Sequence, residues 1–199
     1  TVFKACSEFI DFATVNVSSP NTENLRELQS EKELRELLNG VIAVQDTLKT
    51  RVPVFLKIAP DLGQEEIENI AMVAKERKID GIIATNTTIS RKNLKSSYRH
   101  EKGGLSGAPI FEMSTRMLAQ LYSITEGKIP LIGVGGVFNG EQLFQKIQAG
   151  ASLVQIYSAL IYSGFSITNK ILQELDFSLT QNGFKNVEDA VGTSVDKWL

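Results

Sequence analysis

Two periodicities alternate along this chain, and that alternation limits its fold more than any other feature. Short β-branched and apolar runs occupy residues 13–18 (ATVNVS), 52–59 (VPVFLKIA), 81–86 (GIIATN), 130–136 (PLIGVGG) and 153–158 (LVQIYS). Stretches of helical spacing lie between and after them, at 31–49, 64–77, 114–125, 140–149 and 168–181. In the first helical stretch Leu34, Leu37, Leu38, Val41, Ile42 and Leu48 share a face; in the second Ile67, Ile70, Ala71 and Ala74 do. Every connection between runs is long enough to hold a helix, which predicts parallel strands with right-handed crossovers. Runs this apolar suit strands covered on both faces, so the class is α/β.

Composition narrows the function. A chain of 199 residues with 42% hydrophobic and 22% charged residues suits one globular domain, not a disordered segment. With 21 Lys+Arg against 23 Asp+Glu, the net charge of −2 excludes a broadly basic nucleic-acid binder. One cysteine, Cys6, excludes an intrachain disulfide and a cysteine zinc cluster, and one histidine, His100, excludes a multi-histidine metal site. No apolar stretch of ~18 residues is present to span a membrane. Residues 1–6 lack the charged and apolar regions of a signal peptide. Val2, Phe3, Cys6, Phe9 and Ile10 recur at helical spacing up to Phe12, so the chain reads as starting inside an amphipathic helix, cut rather than begun, with Cys6 on its core face. His100, in the charged run 98–102, reads as a solvated loop residue, and Trp198 carries no signal.

Polar residues gather at the C-terminal ends of the predicted strands. The first ends in Asn16, Ser18 and Ser19, the second carries Lys57, the third leads into Thr85, Asn86, Thr87 and Thr88, and the last holds Gln155, Tyr157 and Ser158. The fourth ends in Gly133, Gly135 and Gly136, which let a ligand approach the backbone. Such ends converge on one face in barrels and in open doubly wound sheets alike. The glycine pair after one strand and Tyr157-Ser158 after the next match a barrel phosphate site, whereas the dinucleotide fingerprint is missing. Lys57, inside an apolar strand, calls for an anion nearby unless its head reaches solvent. Residues 16–22 (NVSSPNT) offer amides and hydroxyls to a polar planar ligand, or are simple turn chemistry. Residues 103–107 (GGLSG) lie in a long loop that is either a ligand-approaching segment or a connector.

Six segments run in one order through nearly the whole chain: VNVSSPNT (15–22), LKIAPDL (56–62), IDGIIATNTT (79–88), KGGLSGAP (102–109), IPLIGVGGV (129–137) and AGASLVQIYSAL (149–160). Together they resemble the class 2 dihydroorotate dehydrogenases, membrane-associated flavoenzymes of pyrimidine (UMP) synthesis. The resemblance implies a (β/α)8 TIM barrel holding FMN, with residues 1–199 as the C-terminal part of that single domain, strands four to eight. By motif, Ser19 would be the base that removes the C5 proton of dihydroorotate, with Thr22 beside it in a proton relay and hydride passing from C6 to flavin N5. Asn16 would touch both FMN and substrate, and Asn21, Asn86 and Thr87 would hold the substrate. Lys57 would lie against the electron-rich edge of the flavin, Thr85 would touch FMN, and Gly107, Gly136, Tyr157 and Ser158 would line its phosphate and ribityl region.

A serine base resembles the class that passes electrons to a membrane quinone. The resemblance places the quinone and membrane contacts in an N-terminal segment outside these residues, so the 199 residues alone are expected to be inactive. The tail 183–192 resembles eukaryotic members, which implies the mitochondrial inner membrane, with a bacterial cytoplasmic membrane as the alternative. Two other readings remain: a non-catalytic truncated barrel acting as an interaction partner, and another FMN- or phosphate-binding barrel oxidoreductase.

Overall fold

The computed structural model describes residues 2–92 and 94–199. A short helix α1 (Val2–Cys6) leads to strand β1 (Ala13–Asn16), and a 3-10 turn (Leu25–Gln29) precedes α2 (Glu31–Gln45). Strand β2 (Val54–Ile58), helix α3 (Gln64–Glu76) and strand β3 (Gly81–Ala84) follow. After a long loop, a 3-10 turn (Ala108–Ile110) runs into α4 (Phe111–Thr125), then β4 (Leu131–Val134), α5 (Gly140–Gln148) and β5 (Ala151–Gln155). The chain closes with α6 (Ser158–Ser163), α7 (Ile167–Gln181), α8 (Val187–Ala190) and a 3-10 turn at Val195–Lys197. Local chemistry sets several starts. Gly63 N–H donates to Glu66 Oε2 at 2.7 Å ahead of α3, and Asn139 Oδ1 accepts Gln142 N–H at 2.9 Å to cap α5.

All five strands are parallel and lie in sequential order, β1-β2-β3-β4-β5. Right-handed crossovers that always step the same way leave every helix on one face. The packing agrees, because α2 meets α3, α3 meets α4, α4 meets α5 and α5 meets α7 in one continuous layer. A doubly wound sheet reverses its strand order and has helices on both faces, so the barrel-like alternative is the one realised.

The main core lies between sheet and helices. Leu56 and Ile58 of β2, Ile82 and Ala84 of β3 and Leu131 of β4 pack against Ile67, Ile70, Leu118 and Leu121. Each such Leu or Ile side chain contributes about 1.5–3 kcal/mol by leaving water. A second cluster joins Phe144 and Ile147 of α5 to Ile171 and Leu175 of α7 and Ala190 of α8. Register places Asn16, Lys57, Ile83, Ile132 and Leu153 across from one another on the opposite face. That face is not covered throughout: Lys57 is half-buried and Leu153 is 62% exposed. The expectation of two covered faces is therefore corrected, for the reason that one-way winding supplies helices to one face only.

The ends of the chain differ from expectation too. α1 stops at Cys6 and buries no residue, Cys6 is exposed and Phe9 is 84% exposed, so the predicted helix to Phe12 and the core placement of Cys6 are both corrected. The backbone leaves the helix early to enter β1, and Phe12 meets Phe55 with ring centroids 5.7 Å apart. The tail is bound rather than irregular. Gly192 N–H donates to Ile147 O at 3.1 Å and Ser194 N–H to Gln148 O at 3.0 Å, tying it to the end of α5. Trp198, silent in the sequence, stands edge-on to Phe111 with centroids 6.0 Å apart.

Asp80 fastens the starts of β2 and β3 to the end of α2. Its carboxylate accepts Val54 N–H at 2.7 Å, Gln45 Nε2 at 3.1 Å and the Arg51 guanidinium. Burial pushes this carboxyl up, but the bonds from Val54, Arg51 and Gln45 together outweigh it and hold it below the usual carboxylate value of 3.8. Asp80→Ala should lower stability at neutral pH by about 1–3 kcal/mol, read from urea unfolding. The contribution is complete above the unfolded value and is lost as pH falls through the lower folded one, so the difference between wild type and variant should narrow on acidification.

Candidate active site

Lys57 of β2 and the segments that follow β3, β4 and β5 enclose a cavity of about 480 Å³ at the C-terminal ends of the strands. Of the residues singled out from sequence, Lys57, Thr85, Asn86 and Thr87 line one part of it. Gly107, Gly136, Tyr157 and Ser158 line another. Asn16, Ser19, Asn21 and Thr22 are not part of its wall.

Lys57 is half-buried, and burial lowers its pKa. Among the described residues no carboxylate forms an ion pair with Lys57, so the anion that its position demands is left to a ligand. An unneutralised ammonium in a cavity wall favours an electron-rich or anionic ligand.

Asn16 joins the cavity through a polar cluster that includes a residue of no predicted role. Ser18 is fully buried, and its hydroxyl lies 2.8 Å from Lys57 O and 3.0 Å from Asn16 Oδ1. Asn86 Nδ2 donates to Asn16 Oδ1 at 3.2 Å and to Ser18 Oγ at 3.1 Å. Asn86 Oδ1 accepts Thr87 N–H at 2.8 Å. The amides of β1 and β3 are thus set side by side with fixed orientation, suited to a ligand that carries both donors and acceptors.

The loop 17–22 forms the rim. Ser19 Oγ accepts Asn21 N–H at 3.2 Å, while Asn21 and Thr22 are exposed. The glycine-bearing loop presses onto this rim, because a Cβ at Gly104 would overlap Thr87 and stand 3.0 Å from Pro20. A side chain there would force the two loops apart. The long loop is held, not slack: Thr88 and Leu105 exchange backbone bonds at 3.1 and 2.8 Å, and Arg91 donates to Glu101 O at 3.2 Å and Gly103 O at 2.6 Å. His100 is exposed, as its charged surroundings implied.

Arg26 and Asp61 were not singled out by the sequence, yet they join three of these loops. Arg26 donates from Nε to Ser18 O at 3.1 Å, from Nη1 to Asp61 Oδ2 at 2.8 Å and from Nη2 to Thr87 O at 2.9 Å. Asp61 also accepts the Thr88 hydroxyl and, at 3.2 Å, Ile89 N–H. The one available signal was Asp61 directly after the strand-ending Pro60.

At the other end of the cavity the chain turns through Gly135 (φ 120°) and Gly136 (φ 77°), which L side chains rarely follow. Among the described residues the N–H groups of Gly136 and Val137 have no backbone acceptor. Ser158 Oγ pairs with Ser106 Oγ at 3.0 Å. Behind the turn lies Lys146, another residue not singled out. It is fully buried, donates to Ser114 Oγ at 2.6 Å and Thr115 Oγ1 at 2.9 Å, and stands 5.0 Å from the centroid of the Phe111 ring. Burial lowers its pKa to about 7. Its signal was its place three residues after Leu143 on the apolar face of α5.

This architecture recurs in known proteins. The family model for dihydroorotate dehydrogenase matches residues 1–179. A dihydroorotate dehydrogenase (quinone) of Cereibacter sphaeroides is 54% identical over 198 residues, covering 100% of this chain and 56% of that protein. The mitochondrial dihydroorotate dehydrogenase (quinone) of Mus musculus is 49% identical over 185 residues, 92% of this chain and 47% of that protein. A crystal structure of DHODH from Eimeria tenella in complex with ferulenol matches with TM-score 0.93 and 38% identity, covering 96% of this chain and 56% of that one. The chain therefore spans about half the length of the curated relatives it matches.

Arg26→Ala should loosen the rim without unfolding the sheet. Hydrogen exchange at Thr87, Thr88 and Ile89 should quicken while the β4–β5 amides keep their protection; equal exchange in both proteins would show that the guanidinium does not hold these loops.

Proposed function

This chain belongs to the dihydroorotate dehydrogenase family, and on that premise we propose that it supplies strands four to eight of a (β/α)8 barrel domain that oxidises dihydroorotate to orotate, with FMN as cofactor and a membrane quinone as electron acceptor. One observation carries this reading: the ammonium of Lys57 lines a single cavity that has a cluster of amides at one end and a glycine turn at the other. FMN is a planar ring with an electron-rich edge of nitrogen and oxygen atoms, joined to a phosphate, and the donor set fits both parts. Lys57, Asn16 and Thr85 would hold the ring; Gly107, Gly136, Tyr157 and Ser158 would hold the ribityl chain and phosphate.

When bound, FMN supplies the two-electron acceptor that no side chain provides. The protein's own work is orientation and proton handling. Asn16, Asn21, Asn86 and Thr87 bind the amide and carboxylate groups of dihydroorotate. Ser19 takes the proton from C5. A hydroxyl is a weak base unless its own proton has an acceptor. Asn21 N–H already donates to Ser19 Oγ, which stabilises negative charge there; Ser19 passes its own hydroxyl proton to Thr22, and the exposed Thr22 releases its proton to water. The Gly103–Gly104 segment, seated against Asn21 and Thr87, closes the rim over this chemistry.

The quinone and the membrane are assigned to a segment outside these residues; among the described ones no helix is long and apolar enough to cross a membrane. The mitochondrial inner membrane is the proposed location, supported by the tail's likeness to eukaryotic members and by the mitochondrial relatives of mouse and plants; a bacterial cytoplasmic membrane is the alternative. A barrel site is walled by eight strands, and five are here. The 199 residues expressed alone should therefore retain FMN weakly and show no turnover; stoichiometric FMN with dihydroorotate-dependent bleaching would overturn that expectation.

In the complete protein, Ser19→Ala should slow flavin reduction by dihydroorotate by about 10²-fold or more while the FMN content stays unchanged. An unchanged rate would remove Ser19 from the role of base. Lys57→Met should release FMN on gel filtration, and undiminished retention would count against the flavin reading of the cavity.

A further inference from the structure

Among the described residues Lys146 is the only charged side chain classed as buried, and its hydrogen-bond partners are two neutral hydroxyls. A lone buried ammonium is costly, and replacing it with an apolar side chain of similar volume often stabilises a fold. Its location shows what the charge does. Lys146 rises from α5 beneath β4, where its Cδ lies 3.1 Å from the place a Gly133 Cβ would take. The groups against it are Ser114, Thr115, Phe111 and Gly133, none of them titratable. The ionisable groups of the surrounding helices are occupied elsewhere or exposed: Glu112 and Arg116 on α4, Glu141 on α5 itself, Lys170 and Asp176 on α7, and Glu188 and Asp189 on α8 are exposed, while Glu174 accepts Gly140 N–H at 2.6 Å.

The link to the glycine turn follows from counting protons. Thr115 Oγ1 donates to Phe111 O at 2.6 Å. Ser114 Oγ stands 3.2 Å from Phe111 O and 3.3 Å from Gly135 O. While Lys146 donates into Ser114 Oγ, the serine proton is free for those carbonyls. A neutral amine would compete for that same proton and turn the hydroxyl away. Gly136 is packed directly onto Phe111, so Lys146, Ser114 and Phe111 together back the whole turn. An ammonium shielded from solvent also acts on a nearby dianion with little screening.

We propose that Lys146, in its protonated form, is the positioning residue for the phosphate end of the flavin site: through Ser114 it sets the Gly135–Gly136 turn, and its unneutralised charge favours a phosphate dianion there. The inference rests on the FMN reading of the cavity and adds a residue that does not line it.

The test compares FMN with riboflavin, which lacks the phosphate, binding to the complete apoprotein followed by flavin fluorescence. In Lys146→Met the FMN Kd should rise about tenfold while the riboflavin Kd stays within about twofold, since only the phosphate senses the charge. Wild-type affinity for FMN should fall between about pH 7 and about pH 9 as the lysine loses its proton, and the variant's should not. Ser114→Ala, which keeps the ammonium and removes the link to Gly135, should weaken FMN as well, and it serves if Lys146→Met does not fold. Equal weakening of both flavins, or no change in either, overturns the inference while the FMN reading stands. A wild type that binds neither flavin overturns both.

Discussion

A parallel sheet whose strands follow one another in order can accept its crossover helices on one face only, and that constraint governs the rest of the molecule. The helix-facing residues of β2, β3 and β4 are aliphatic and fully buried except at Gly133, where the missing side chain leaves room for Leu118 and Lys146. The opposite face is free to carry Asn16 and Lys57 beside Ile83 and Ile132. Because the strands are parallel, their C-terminal ends lie at one end of the sheet, and the loops that carry amides, hydroxyls and glycines converge there without further arrangement. The site is a consequence of the winding.

Convergence alone leaves loops that are near one another but not fixed. Charged side chains bound to backbone carbonyls supply the fixing. Arg26 spends its three donating groups on Ser18, Asp61 and Thr87, and Arg91 gathers the carbonyls at both ends of the loop it starts. Partly shielded bonds of this kind are stronger than neutral ones and directional. They hold the rim in one geometry, which binding and proton transfer require.

Two lysines show how position alters the meaning of one side chain. Lys57 reaches the cavity from within a strand and remains half-buried, so its ammonium is available to a ligand. Lys146 is sealed between α4, α5 and β4, so it acts through the hydroxyls of Ser114 and Thr115. Among the described residues neither forms an ion pair with a carboxylate, and burial lowers the pKa of both. A protein that keeps positive charge unpaired on both sides of a cavity is prepared for an electron-rich guest.

The alternation of elements, the parallel class and most of the polar residues that line the cavity are legible in the amino-acid order, since periodicity and strand-end chemistry are local properties. That order also misled locally: the helical spacing of Val2 to Phe12 persists past Cys6, where the chain has already left the helix to enter β1. The one-way strand order implied by the family resemblance is realised in the sheet, and with it a layer of helices on one face only. Only the tertiary structure decided the roles of Ser18, Arg26, Asp61 and Lys146. Their neighbours in sequence say nothing of them, because a role made of bonds to residues 8 to 61 positions away exists only once the chain has brought those partners together.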